Sequence, residues 1–248
     1  LLRDPTAGVP NVAPPSPIGP DRTRRRREIL RQMENRFRSG RDPVLAQKRA
    51  EMYEAAQALI DSERLRAFHI GEEPQERREE YGMNPFGQGC LLARRLVEAG
   101  VPFVEVQLGG WDTHQDNFTR TPELARTLDQ GFAALLDDLD RTGLFDETLV
   151  ICMGEFGRTP RINANEGRDH FARAWSVLLG GGPIERGAVI GRTNEDGSDV
   201  AERPVSAGEL FATIFHALGI DYTKQFYAPN GRPIRIADSD HHIRELVS

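Results

Sequence analysis

Five acidic or imidazole side chains in this sequence have the types and the placing to hold a cation. Asp112 and His114 lie in GGWDTHQDNF (109–118), directly after the apolar run VPFVEVQL. Glu155 lies in MGEFGRTP, at the end of the apolar run TLVICMG, and Asp169 and His170 lie in GRDHF. Such groups at a strand end are costly to bury unless something pairs with them. Two imidazoles with carboxylates suit zinc or manganese, and carboxylate oxygens also hold calcium or magnesium. A divalent cation there polarises a phosphoryl or sulfuryl oxygen, or lowers the pKa of a bound water. Arg158, Arg161 and Arg168 flank the same loops, and guanidinium groups bind tetrahedral anions in bidentate fashion. The candidate metal ligands are therefore Asp112, His114, Glu155, Asp169 and His170. The candidate catalytic groups are Glu155, as a base if it is not a ligand, and Arg158 and Arg168 as anion binders.

Each of these residues also has a structural reading. Asp112 serves as a turn acid and His114 as a surface histidine. Glu155 pairs with Arg158, and Asp169 caps a helix beginning at His170. His69 and His216 fall inside helical patterns and read as packing or surface residues. His241 and His242, in DSDHH, read as an exposed tail.

The elements that would position the five follow from periodicity. CLLARRLVEAG predicts a helix ending at Gly100, and VPFVEVQL a strand of the buried type. A helix opens at Thr121-Pro122 and carries Leu124, Leu128, Phe132, Leu135, Leu136 and Leu139 on one stripe. Gly143 ends it. TLVICMG (148–154) and SVLLGGG (176–182) predict two more strands. Ser206 and Glu209 form a capping box ahead of Leu210, Phe211, Ile214, Phe215 and Leu218. Strand, helix, strand reads as a βαβ unit with parallel strands. Ligands gather at the carboxyl ends of parallel strands, so the loops of Asp112 and Glu155 are expected on one rim.

Upstream the chain carries less chemistry. Residues 1–20 are rich in proline and read as an extended arm. RTRRRREILRQ (22–32) reads as a solvated helix start, or as a basic patch for nucleic acid. Asp42-Pro43 predicts a helix start, followed by Leu45, Met52, Ala56, Leu59 and Ile60 at helical spacing. The expected organisation is a proline-rich arm with a helical layer or insertion over 1–85, and an α/β domain over 86–248.

Composition bounds the rest. The 248 residues suffice for one large domain or two small ones. At 38% hydrophobic and 28% charged, the chain can bury a core and stay in solution. A net charge of −6 argues against nucleic acid as the main partner. No run reaches the roughly 20 apolar residues of a membrane span. Cys90 and Cys152 lie in apolar segments and read as inert buried thiols, not as a disulfide framework. The chain opens LLRDPTAGVP, with no Met and no leader of the usual form, and reads as a mature or truncated product.

Several motifs occur in an order that resembles a bacterial family, domain of unknown function 1501: DPTAGVPNVAPP, CLLARRLVEAGVPFVEV, GGWDTHQDNF, GLFDETLVICMGEFGRTPRIN, GRDHF, LGGG and PVSAGELFATIFHALGID. That family is similar to the alkaline phosphatase superfamily, with its sulfatases and phosphodiesterases. The resemblance implies a three-layer α/β/α sandwich, with a mostly parallel sheet and the N-terminal part of the fold missing. It implies metal-dependent hydrolysis or transfer of phosphate or sulfate esters, on an anionic small molecule or glycan ester. It implies an exported or periplasmic parent. Asp112 and His114 match an Asp and a His that bind metal in those relatives, and His170 a later histidine. Two departures stand out. The relatives' Asp-His-Gly is Glu155-Phe156-Gly157 here, and no residue matches their nucleophile, so the chain resembles the C-terminal part of a longer protein. The alternative expectation is a non-catalytic exported protein that binds an anionic glycan or a partner around a structural metal.

Overall fold

In the computed structural model, residues 2–10, 12, 18–38 and 43–247 are described. The chain divides into two compact units, Leu1–Val106 and Gln107–Ser248.

The first unit is helical: α1 (Pro20–Arg38), α2 (Pro43–Ile60), two short 3-10 segments at Glu63–Phe68 and Ile70–Glu72, α3 (Gln75–Glu80) and α4 (Pro85–Glu98). The arginine run lies in α1, where Arg27 reaches Asp61 at 3.1 Å. The expected N-cap Asp42, and residues 11 and 13–17 of the arm, lie outside the described residues. α4 starts for local reasons. The Asn84 side chain accepts the Gly87 N–H at 2.9 Å and Pro85 occupies the first turn. Gly100, at φ +81°, turns the chain after it. α4 buries Phe86, Cys90, Leu91, Leu92, Ala93 and Leu96. The Arg95 Nε–H donates to the Ala67 carbonyl at 2.9 Å, and Arg94 pairs with Glu73 at 2.8 Å, which ties the 3-10 segments to α4.

The second unit holds α5 (Asn117–Arg141), a 3-10 turn at Leu144–Glu147, and α6 (Ala207–Ala217). Its strands are short: β1 (Val150–Cys152), β2 (Gly157–Arg158), β3 (His170–Phe171), β4 (Leu178–Gly180), β5 (Arg192–Thr193), β6 (Val200–Glu202), β7 (Gln225–Tyr227) and β8 (Pro233–Arg235). They pair as β1 with β4, β2 with β3, β5 with β6 and β7 with β8, every pair antiparallel. Ser206 and Glu209 close the capping box on α6, with the Glu209 N–H donating to Ser206 Oγ at 3.1 Å and the Ser206 N–H to Glu209 Oε2 at 3.0 Å. A core of Ile184, Ile243, Leu246 and Val247 is packed round by Leu149, Leu179, Ile190, Val205 and Ala217. Cys152 is only half-buried, and burial pushes its thiol pKa up, which keeps it protonated.

The expected three-layer α/β/α sandwich with a mostly parallel sheet is overturned. Among the described residues the strands are short and form only two-stranded antiparallel pairs, and the chain is largely helical. Among the described residues VPFVEVQL joins no ladder, and Phe103 is 78% exposed. An apolar run reports strand propensity, but a ladder needs a partner segment in register. The expected crossover into TLVICMG therefore closes no parallel pair. TLVICMG pairs instead with SVLLGGG, Val150 opposite Gly180 and Cys152 opposite Leu178. A parallel pair needs a crossover, usually helical. The chain between β1 and β4 returns through the β2–β3 pair, so the two strands meet antiparallel. The expected opening of α5 at Thr121-Pro122 also shifts. The helix starts at Asn117, because Asp116 in the left-handed region at φ 53° turns the chain and its carbonyl accepts the Arg120 N–H at 3.0 Å.

Candidate metal centre

Two loops of the second unit are locked together by their backbones. The 111–117 loop enters α5, and the 159–169 loop connects β2 to β3. The Asn117 N–H donates to the Glu166 carbonyl at 3.0 Å, and the Arg168 N–H to the Thr113 carbonyl at 2.9 Å. Gly167 is required at this crossing: a Cβ there would land on the carbonyl group of His114 and lie 2.5 Å from the Gln115 nitrogen. Thr113, 2% exposed, donates its hydroxyl to Asn117 Oδ1 at 2.7 Å, and Thr121 donates to the same oxygen at 3.0 Å. This small polar knot fixes the loop to the start of α5.

The β2–β3 pair supplies the other side. Arg158 stands opposite His170 across the ladder. The Thr159 N–H donates to the Asp169 carbonyl at 3.0 Å, and the Asp169 N–H to Thr159 Oγ1 at 3.1 Å. Phe156 packs against the His170 imidazole at a tilt of 46°, with ring centroids 4.4 Å apart.

Asp112, His114 and His170 converge at this crossing. One ligand atom from each lies within 4.8 Å of the other two. Asp112 Oδ1 is 3.1 Å from Nε2 of both His114 and His170, and accepts from the Arg158 guanidinium at 2.6 Å. The two imidazole rings lie 4.9 Å apart. On its other nitrogen, His114 donates Nδ1–H to Asp169 Oδ1 at 2.8 Å. An ionised carboxylate only accepts, so Nδ1 carries a proton toward Asp169, and Nε2, which faces Asp112, would bind a cation only in its unprotonated form. All of these side chains are exposed to solvent except Arg158, which is half-buried.

The electrostatics favour ionised carboxylates. The Arg158 guanidinium, then His170, then His114, hold Asp112 below the usual carboxylate range. The hydrogen bond from His114, then that from Asn163, do the same for Asp169. The donor set could hold a divalent cation: one carboxylate and two imidazole nitrogens, with Asp169 placed where an outer carboxylate would stand behind His114. Two ligands of one tetrahedral zinc, at bonds of about 2.0–2.2 Å, lie roughly 3.3–3.5 Å apart. Atoms within 4.8 Å of one another reach that spacing by small side-chain adjustments.

The remaining sequence candidates divide. Asp169 joins the cluster through His114 rather than at the point where the three ligand atoms meet. Glu155 is exposed and outside that group of ligand atoms. The guanidinium of Arg168 donates to the carbonyls of Thr159 at 2.5 Å and Pro160 at 2.7 Å, so it braces its own loop. Arg161 is exposed, and its carbonyl accepts the Thr159 hydroxyl at 2.8 Å. The loops gather through the β2–β3 pair and the loop crossing, not at the ends of parallel strands as expected. Asn163, Gly167 and Thr113 are absent from the sequence-level candidates. Asn-x-Asn-x-Gly ahead of Arg-Asp-His is a turn signature that could have drawn notice to the first two.

A second histidine cluster lies apart from these loops in sequence. His242 stacks on His216 at 4.0 Å and lies 3.1 Å from the Tyr222 hydroxyl, so it is not the exposed tail residue its position suggested. Burial first, then the charges of His216, Arg244 and His241, depress its pKa below the ordinary 6.5, with the Val247 backbone opposing. Below about pH 6.5 the unfolded chain therefore binds the proton more readily than the folded one. Thermal midpoints measured from pH 8 down to pH 5 should fall more for the wild type than for His242→Asn. Equal slopes would show that His242 makes no such contribution.

Residues 1–247 match the family described as "Protein of unknown function (DUF1501)", and the chain belongs to it. Neither the curated proteins nor the solved structures include a match to the chain. Among the described residues, no helix is long and apolar enough to cross a membrane.

Proposed function

We propose that this protein is a metal-dependent hydrolase of phosphate or sulfate esters. The observation that carries the reading is the meeting of Asp112, His114 and His170, drawn from loops 58 positions apart in the chain, around one point open to solvent. Asp112, His114 and His170 would hold a divalent cation, with zinc or manganese favoured by the imidazoles and calcium less suited. Such a cation supplies Lewis-acid polarisation of a phosphoryl or sulfuryl oxygen and a bound water of lowered pKa. The residues do the rest. Asp169 fixes the proton of His114 on Nδ1, which leaves Nε2 as the ligating atom. Arg158, beside Asp112, presents a guanidinium to a tetrahedral anion at the same point. Glu155, exposed at the end of the β1 segment, is the proposed proton acceptor. The kinship with phosphatases and sulfatases, and export of the protein, are proposed on the ordered motifs alone. Fractionation of cells expressing the full-length protein tests the export, and a purely cytosolic signal would count against it.

One observation favours a second reading, a non-catalytic protein that binds an anionic glycan or a partner around a structural metal. The guanidinium of Arg168 is engaged with backbone carbonyls, and Glu155 stands apart from the converging atoms. Fewer groups then remain for turnover than the first reading needs. Generic aryl phosphates and aryl sulfates, assayed with zinc, manganese or calcium on the full-length protein, separate the two. Turnover that follows metal loading supports the hydrolase. One bound metal per chain without turnover supports the binding protein.

A further inference from the structure

We infer that Asn163 is a positioning residue for the metal centre, acting through Asp169 and His114. The inference rests on the metal reading above. Asn163 Nδ2 donates to Asp169 Oδ1 and to the His114 carbonyl, each at 3.0 Å. Its Oδ1 accepts the Asn165 N–H at 2.9 Å and the Gly167 N–H at 3.0 Å. Its own N–H donates to the Gly167 carbonyl at 2.9 Å. The amide thus uses both donor hydrogens and both oxygen lone pairs. The partners also fix its orientation. Turned over, its oxygen would face a carboxylate and a carbonyl, while its NH₂ would face two N–H groups.

The two halves of this amide do different work. The oxygen shapes the 163–167 turn, which lets Gly167 slide under His114. The nitrogen ties Asp169 to the backbone of the residue whose imidazole Asp169 orients. One side chain therefore sets both the place of the His114 main chain and the direction of its ring. A carboxylate freed from Asn163 turns about its own torsions, and the His114 ring loses its fixed direction. Groups of this kind, behind a metal-bound histidine, typically change metal affinity by about 10–100-fold when removed.

The test compares Asn163→Ala with Asn163→Ser in the full chain, against zinc and cobalt(II). Serine can still accept a backbone N–H two residues on and so keep the turn, but it lacks the amide NH₂. Both variants should bind zinc about 10–100-fold more weakly than the wild type. Asn163→Ser should keep the apo thermal midpoint near that of the wild type. In the cobalt-loaded wild type, the His114 Nδ1–H should appear as a shifted, solvent-protected proton resonance, and in both variants it should be lost to exchange. Zinc affinity and cobalt spectrum unchanged in Asn163→Ser would overturn the inference and leave the metal reading intact. A wild type that binds neither metal would remove both.

Discussion

Replacing His170 with alanine is expected to abolish stoichiometric zinc binding while leaving the chain folded. His170 supplies one of three converging atoms, and its ring lies at the surface, tilted against Phe156. Truncation opens no cavity in the core of Ile184, Ile243, Leu246 and Val247. The loss in affinity should exceed the roughly 100-fold upper range of outer-sphere changes, because a bond to the ion itself is removed. Substitutions of surface groups usually change stability by less than about 0.5 kcal/mol, so the thermal midpoint of the apo protein should barely move. Isothermal titration of both proteins with zinc reads the first quantity and calorimetric melting the second. His114→Ala should lose affinity as strongly and also release Asp169 from its hydrogen bond to the imidazole. Zinc bound to His170→Ala with wild-type affinity would show that the three groups meet without forming a site.

The second large effect is expected at a residue with no side chain. Gly167→Ala places a methyl group on the carbonyl of His114, and both chains at that point are backbone, with no flexible side-chain end to yield. Overpacking of this kind costs about 1–3 kcal/mol, and occasionally more, and here the upper end is expected. The relief available is for the 163–168 segment to lift off the 113–117 loop. That breaks the bonds from Arg168 to Thr113 and from Asn117 to Glu166, and it parts His170 from Asp112 and His114. Gly167→Ala should therefore lower both the thermal midpoint and the zinc affinity, unlike His170→Ala, which should lower the second alone. The contrast matters more than either value. A Gly167→Ala protein that melts and binds zinc like the wild type would mean that the two loops are not held as described.

The helices are the part of this fold that can be read from the sequence. Ser206 and Glu209 announce α6 through a capping box that satisfies two backbone donors, and Gly100 and Gly143 stop helices because they accept left-handed backbone at φ +81° and +75°. These are local signals, complete within a few residues. Strand pairing is not local. VPFVEVQL and TLVICMG have the same apolar character, yet among the described residues one joins no ladder and the other pairs antiparallel with a segment beyond a hairpin. Nothing in either stretch states its partner or direction. The four residues Asp112, His114, Asp169 and His170 are legible as chemistry because their types are costly unless paired. Asn163, Gly167 and Thr113 are not, since they act through backbone carbonyls, close approach and a buried hydroxyl. Arg168 misleads for the matching reason: a guanidinium suited to an anion donates here to the carbonyls of Thr159 and Pro160.

Anomalous diffraction at the zinc edge, from crystals of the zinc-loaded protein, tests directly whether the three side chains hold one ion. One peak is expected within bonding distance of an Asp112 carboxylate oxygen and of Nε2 in both His114 and His170, with Asp169 still on Nδ1 of His114. A peak at other residues, or full zinc occupancy with the two imidazoles pointing away from it, would show that Asp112, His114 and His170 form no metal site.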